Sequence, residues 1–297
     1  MAGTRQIIQR RKAVENIRRI TRTMEMISTA RYKSYFNKRV AVVDYHDALA
    51  RMGYLLITSQ KPIEHPLLKE NKSGRWVVLA LGSNRGLCGQ FNDSVYRMVE
   101  VHAKRAKELK KNLEIYATES RLLGILDYHR MKPAKVYTDF EEMPSDELIE
   151  LMAGDFVRQY IAGTLDYFGI VYMRFSSVTS QQVQTLNILP IAELVDDLVT
   201  RAKVIWPWEL SFENFYLSPS AEEVIEGLAT MMVRYSIKRC FMDAALSEHV
   251  ARMVAMRNAT DNADEMIKEL TAEYNRARQA SITGELLDII GGTGALE

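Results

Sequence analysis

Met253–Ser281 reads MVAMRNATDNADEMIKELTAEYNRARQAS, and its spacing decides the fold. Met253, Met256, Thr260, Ala263, Ile267, Leu270, Tyr274, Ala277 and Ser281 recur at strict three-four spacing, the a and d positions of a coiled coil. An ordinary amphipathic core helix is the competing reading of this period. The seam is lean. Ala263, Ala277 and Ser281 admit a partner backbone closely, which suits one particular helix.

Working outward, all seven prolines lie between Pro62 and Pro219, so both ends of the chain are free of helix breakers. A proline inside a helix costs about 3 kcal/mol, and its absence permits two very long helices. At 1.5 Å per residue, Ala221 to Ile290 reaches roughly 100 Å and Ala2 to Thr58 roughly 85 Å. The N-terminal stretch carries apolar positions Ile7, Val14, Ile17, Ile20, Met24 and Ile27, then Tyr35, Val42, Tyr45, Leu49, Met52 and Leu56. These predict one apolar face turned to the C-terminal rod, with Arg10, Arg11, Lys12, Arg18, Arg19 and Arg22 covering the remainder.

Residues 1–39 hold eleven Lys or Arg against two Glu, a local charge of +9 in a chain whose net charge is +1. The rest is therefore net acidic. Three readings of the basic helix compete: a solvated face, a nucleic-acid contact, or a helix facing a strongly acidic protein surface. A pI near 7.7 argues against a phosphate-binding domain. A membrane-surface helix would need Trp or Phe at the interface, and there is none before Phe36. Nor does any apolar run reach the ~18 residues of a membrane span, and the N-terminus shows no secretory h-region. Arg-rich residues 1–39 superficially resemble a mitochondrial transit peptide, but the apolar stripe continues past them. Cys88 and Cys240, widely separated, suit reduced thiols in a cytoplasmic setting.

The middle alternates strand and helix, which predicts a small open α/β sheet. Strands are expected at 75–81, 113–118, 135–137, 167–175 and 183–189. Helices are expected at 93–111, 120–130 and 145–164, the last with Ser145 as N-cap and Glu147 in its first turn. Pro190 to Pro219, carrying Trp206 and Trp208, reads as an irregular return. The domain reading is thus an N-terminal helix over 1–60, an α/β base with its return segment over 61–219, and a C-terminal helix over 220–297. The loop GSNRGLCGQFN places Gly82, Gly86 and Gly89 where a doubly wound fold binds phosphate, yet it matches neither nucleotide fingerprint. Cys88 has no His-Asn or His-Asp companions, and the five histidines (46, 65, 102, 129, 249) have no metal-ligand spacing. No catalytic residue, cofactor or metal site is expected.

Longer motifs carry a resemblance. Glu248–Leu296, EHVARMVAMRNATDNADEMIKELTAEYNRARQASITGELLDIIGGTGAL, resembles the C-terminal helix of the gamma-subunit family of F-type ATP synthases. ARMVAM (Ala251–Met256), ATDN (Ala259–Asn262), NRARQASIT (Asn275–Thr283) and Glu285 are its most specific parts. ITRTMEM (Ile20–Met26) is similar to the family's ITKAMEM, and RGLCG (Arg85–Gly89) and QTLNILP (Gln184–Pro190) agree as well. Departures fall at Gly284, at Thr293 and Gly294, and at Gln90, and the cysteine-bearing insertion of chloroplast members is missing.

The resemblance implies a rotor shaft. Its two terminal helices would form an antiparallel coiled coil inside a hexamer of alternating alpha and beta subunits. Its Rossmann-like α/β domain would sit at the base, against the epsilon subunit and the membrane ring of c subunits. One copy per complex would stand peripherally at the cytoplasmic face of a bacterial membrane, coupling ion flow to ATP synthesis without catalysing it. The basic helix would meet acidic loops of beta. Met24, Arg252, Gln279, Thr283 and Glu285 occupy positions matched to the family's coupling region. The remaining alternatives are a basic coiled-coil scaffold or nucleic-acid binder, and an α/β enzyme using the Gly82–Gly89 loop.

Overall fold

The computed structural model describes residues 2–57, 65–118, 120–138, 140, 142–194, 218 and 220–293. Trp206, Trp208 and the tip beyond Thr293 lie outside the described residues. The proline-free ends are helical as expected. Helix α1 spans Ala2–Ile57 and the last helix, α5, spans Ala221–Thr293, 56 and 73 residues long. By compactness the chain divides into two units, Met1–Ala30 with Arg252–Glu297, and Arg31–Ala251.

In the first unit α1 and α5 run antiparallel. Arg11 lies over the Tyr274 ring, Arg18 pairs with Asp264 at 2.9 Å, and Thr21 hydrogen-bonds Thr260 at 2.7 Å. Positions therefore rise on one helix as they fall on the other. All nine seam positions read from Met253 to Ser281 are buried or partly buried, so the coiled-coil period of α5 holds. Val14, Ala263 and Leu270 form its apolar layer, with Ile7 and Ile267 against them.

The partner face of α1 differs from the expectation. Ile17, Ile20 and Ile27 are more than half exposed, while the covered positions follow Ile7, Arg11, Val14, Arg18, Thr21 and Ser28. Two stripes of heptad spacing run side by side on α1, and the lean α5 seam takes the smaller one. Thr21 and Ser28 allow the close approach that Thr260 and Ala263 require, whereas isoleucine there would hold the helices apart. Arg11 and Arg18 thus belong to the seam rather than to the solvated face.

In the second unit five strands form one sheet: β1 Arg75–Ala80, β2 Asn112–Thr118, β3 Lys135–Tyr137, β4 Tyr167–Ser177 and β5 Ser180–Leu189. Their order is β3-β2-β1-β4-β5, parallel except for the antiparallel β4–β5 hairpin. Between them come α2 (Phe91–Glu108), α3 (Ser120–Tyr128) and α4 (Asp146–Ile161). Ser145 caps α4, its hydroxyl accepting from the Leu148 amide, and Glu147 sits in the first turn as the sequence indicated. Strand alternation splits the core into two layers. Leu79, Phe168 and Ile170 face α4 and the first half of α5 through Phe156, Met232 and Phe241. Val78, Ala80 and Val171 face α2 and α3 through Val95, Leu122 and Leu126. Cys88 and Cys240 are buried thiols, neither in a disulfide.

Candidate functional site

The exposed stripe of α1 is the first surface that calls for a role. Ile17, Ile20, Met26 and Ile27 project among the exposed cations Arg10, Lys12, Arg19 and Arg22. On α5, Val254, Met266, Ile282, Leu286 and Leu287 are also exposed. A run of apolar side chains rimmed by charge marks an interaction surface more than a solvated one. Its chemistry fits a partner that presents apolar anchors within an acidic surround.

The residues singled out from the motifs fall at different heights on the rod. Met24 is half-buried, flanking the seam. Arg252 is buried at 5% exposure, so it is not a solvated rim charge. Gln279 and Thr283 are exposed, and the Thr283 hydroxyl donates to the Gln279 carbonyl at 2.9 Å. With Thr21 beside Thr260, Gln279 stands opposite the start of α1, roughly 30 Å along the rod from the Thr21 level. Met24 and Gln279 therefore do not meet. Glu285 lies on α5, and its side chain is outside the described residues.

The Gly82–Gly89 loop is filled from within. The Gly82 amide donates to Thr118 Oγ1 and the Ser83 amide to Asn92 Oδ1, while the Ser83 hydroxyl donates to the Arg85 carbonyl. These two amides at the end of β1, where a doubly wound fold would cradle a phosphate, are already engaged. Gly82 is explained by packing, since a Cβ there would lie 2.4 Å from Cβ of Leu122 on α3. The glycine lets α3 approach the sheet.

A second polar constellation was not visible in the sequence. His249 of α5 contacts Glu142 Oε2 through Nε2 at 3.2 Å, and Tyr35 of α1 stacks on His249 at 5.5 Å between ring centroids. The Tyr35 phenol stands beside the same carboxylate. The His249 hydrogen bond, aided by the neighbouring Tyr35 phenol, holds the Glu142 carboxyl down at about 2 despite its burial. Burial and the neighbouring carboxylate push the Tyr35 phenol up. One turn away Arg39 Nε donates to Asp243 Oδ1 at 2.6 Å and Arg39 Nη2 to the Phe175 carbonyl at 3.4 Å, with Asp243 fully buried. No local motif announces these pairs, because the partners are 107 and 204 residues apart.

A family model described as ATP synthase matches residues 3–296. The ATP synthase gamma chain of Rhodopirellula baltica is 37% identical, with all of both chains covered. That of Leptospira biflexa is 32% identical, again over the whole of both. Among solved structures, a chain of the Euglena gracilis mitochondrial ATP synthase, described as OSCP/F1/c-ring, matches with a TM-score of 0.68 at 18% identity, covering 99% of this chain and 95% of that one. A chain of the Tetrahymena thermophila mitochondrial enzyme, described as central stalk/c-ring, matches at 0.57 and 17% identity, covering 81% and 99%.

Proposed function

Because the chain belongs to the ATP synthase gamma-chain family, we propose that it serves as the rotor shaft joining a membrane ring of c subunits to an alpha/beta hexamer. The observation that carries this reading is the antiparallel pairing of α1 and α5 through Thr21–Thr260 and Arg18–Asp264. Two helices locked side by side resist twist and bending, which a single helix does not, and torque needs such stiffness. The related solved chains come from assemblies described as F1/c-ring, rotor and central stalk, and that supports the same partners here. The epsilon subunit is the further partner, bound with the c-ring at the α/β base over 61–219, while 1–60 and 220–297 supply the shaft.

In this reading the exposed isoleucines and cations of α1 face acidic loops of the beta subunits. The complex stands at the cytoplasmic face of a bacterial membrane with this chain peripheral to it; among the described residues no helix is long and apolar enough to cross a membrane. Met24, Arg252, Gln279, Thr283 and Glu285 are the coupling contacts. In this reading catalysis belongs to the partner subunits, and the Gly82 and Ser83 amides after β1 serve Thr118 and Asn92.

The test is the complex itself. Purification of the chain should bring down alpha, beta, epsilon and c subunits, and vesicles carrying the complex should pump ions on ATP hydrolysis. Met24→Lys adds a cation to an already basic face, where a partly desolvated contact with an acidic partner is worth ~1–3 kcal/mol. A contact made at only some rotor angles should lower pumping and synthesis out of proportion to hydrolysis. Steep salt-dependent DNA binding with no hexamer association would instead establish the scaffold alternative. Micromolar ATP binding by the isolated chain, lost in Arg85→Ala, would refute the non-catalytic assignment.

A further inference from the structure

Glu142, Asp146 and Glu150 follow one another at four-residue spacing, ahead of and along α4. Each meets a base on α5: Glu142 with His249 at 3.2 Å, Asp146 with Lys238 at 2.6 Å and Glu150 with Arg234 at 3.2 Å. The rungs of this ladder are unequal. Asp146 and Glu150 are more than half exposed, whereas Glu142 and His249 retain 18% and 4% of their side-chain exposure. Exposed pairs contribute about 0–1 kcal/mol and are screened by salt, while a buried pair is screened far less. Among the described residues the Glu142 rung alone is seen to engage α1 as well, through the Tyr35–His249 stack.

The same unit also joins α1 and α5 through the ring pair Tyr45–Tyr235 at 4.2 Å and the buried Arg39–Asp243 pair at 2.6 Å, while Phe140 packs on Phe241 at 5.5 Å. Apolar contact is non-directional and tolerates small rotations of a helix about its axis. A carboxylate bonded to the ring of one helix, where that ring stacks on a ring of the other, is directional, and it restrains the azimuth of both. Among the described residues no partner reaches the buried Nδ1 of His249, so the Nε2 contact with Glu142 and the Tyr35 stack set the ring's orientation.

We propose that Glu142 is a positioning residue, a latch by which the α/β body grips both long helices at once, so that torque passes between body and rod through it. This inference rests on the rotor-shaft reading. The titratable groups facing the latch are His249 and Glu248 from α5 and Arg31 and Tyr35 from α1. The carboxylate, held at about 2, stays ionised across the neutral range, and the latch remains closed there. Arg39–Asp243–Phe175 ties the same helices to β4 independently, so removal of Glu142 leaves the unit folded.

The experiment uses complete ATP synthase complexes carrying Glu142→Ala, Glu142→Gln, His249→Gln or the double change Asp146→Ala/Glu150→Ala, reconstituted in vesicles. The readouts are subunit composition, ATP hydrolysis and the ratio of ion pumping to hydrolysis. Glu142→Ala should lower that ratio about fivefold or more, up to ~150-fold, the scale of one charge-assisted hydrogen bond, with composition and hydrolysis retained. His249→Gln, which keeps an N–H donor, should stay closer to the wild type, and Glu142→Gln should fall between. The Asp146/Glu150 double variant should leave the ratio unchanged at both low and high salt. An unchanged ratio in Glu142→Ala overturns the latch, and so does a loss that merely tracks failed assembly. A wild-type complex that hydrolyses ATP without pumping overturns the rotor-shaft reading itself, a separate result.

Discussion

The rod unit and the α/β unit each contain an arginine–aspartate pair between α1 and α5, and the two pairs sit in opposite surroundings. Arg18–Asp264 in the rod leaves 40% and 44% of the side chains exposed. Arg39–Asp243 in the body leaves 22% and none. The rod's seam is a series of thin layers, Val14 with Ala263 and Leu270, then Thr21 with Thr260, each open to water at its edges. The body instead closes two continuous apolar layers over its sheet. A rod derives its strength from repetition of weak layers, a body from exclusion of water. The same ion pair is therefore a partly solvated contact at the seam's edge in one and a structural commitment in the other.

The largest break of that contrast is Leu270→Pro. It removes a helix hydrogen bond at about 3 kcal/mol and takes away a buried leucine side chain besides, in the middle of the seam. Complexes should fail to assemble or lose coupling, seen by subunit co-purification and vesicle pumping. Normal coupling in this variant would remove the coiled-coil account of 253–281.

Next comes the pair itself. Arg39→Ala leaves Asp243 buried without its counter-ion and should cost ~3–5 kcal/mol. Arg18→Ala should cost no more than ~1 kcal/mol. Denaturant unfolding of both variants measures the difference, and equal losses would erase the distinction between the units.

Gly82→Ala tests packing in the body. A Cβ placed 2.4 Å from Cβ of Leu122 must push α3 off the sheet, an overpacking cost of about 1–3 kcal/mol, read as a lowered Tm.

Acid supplies a smaller, distributed effect. The folded value for Glu142 lies near 2, below the ordinary 4.5, so its contribution is complete above about 4.5 and is lost as pH falls toward 2. Acid titration of Glu142→Gln should show a flatter loss of stability across that window than the wild type, and identical curves would dismiss the carboxylate as a stabilising group.

The smallest effect belongs to the rod. A Cβ at Gly284 meets nothing within 4 Å, so Gly284→Ala should raise helix stability by up to ~1 kcal/mol in thermal melts followed by circular dichroism.

Much of this architecture was legible in short windows. RWVVLAL marked β1, Ser145 with Glu147 marked the start of α4, and the nine-position seam of α5 came from spacing alone. The outward face of α1 was misread, because apolar content alone does not say which of two adjacent stripes a partner helix selects. Tyr35, Glu142 and His249 gave no sign at all, being chemically ordinary residues far apart in the chain.

The sequence by itself determined two proline-free helices, a heptad seam and an alternating strand-helix middle, since periodicity, capping and proline exclusion act over a few residues at a time. The tertiary structure decided that Thr21 and Ser28 turn inward while Ile17, Ile20 and Ile27 face out, that Gly82 serves α3 and not a phosphate, and that Arg39 and Glu142 bind across the fold. Those choices depend on the shape and charge of surfaces brought together from distant parts of the chain, and a local window carries no trace of them.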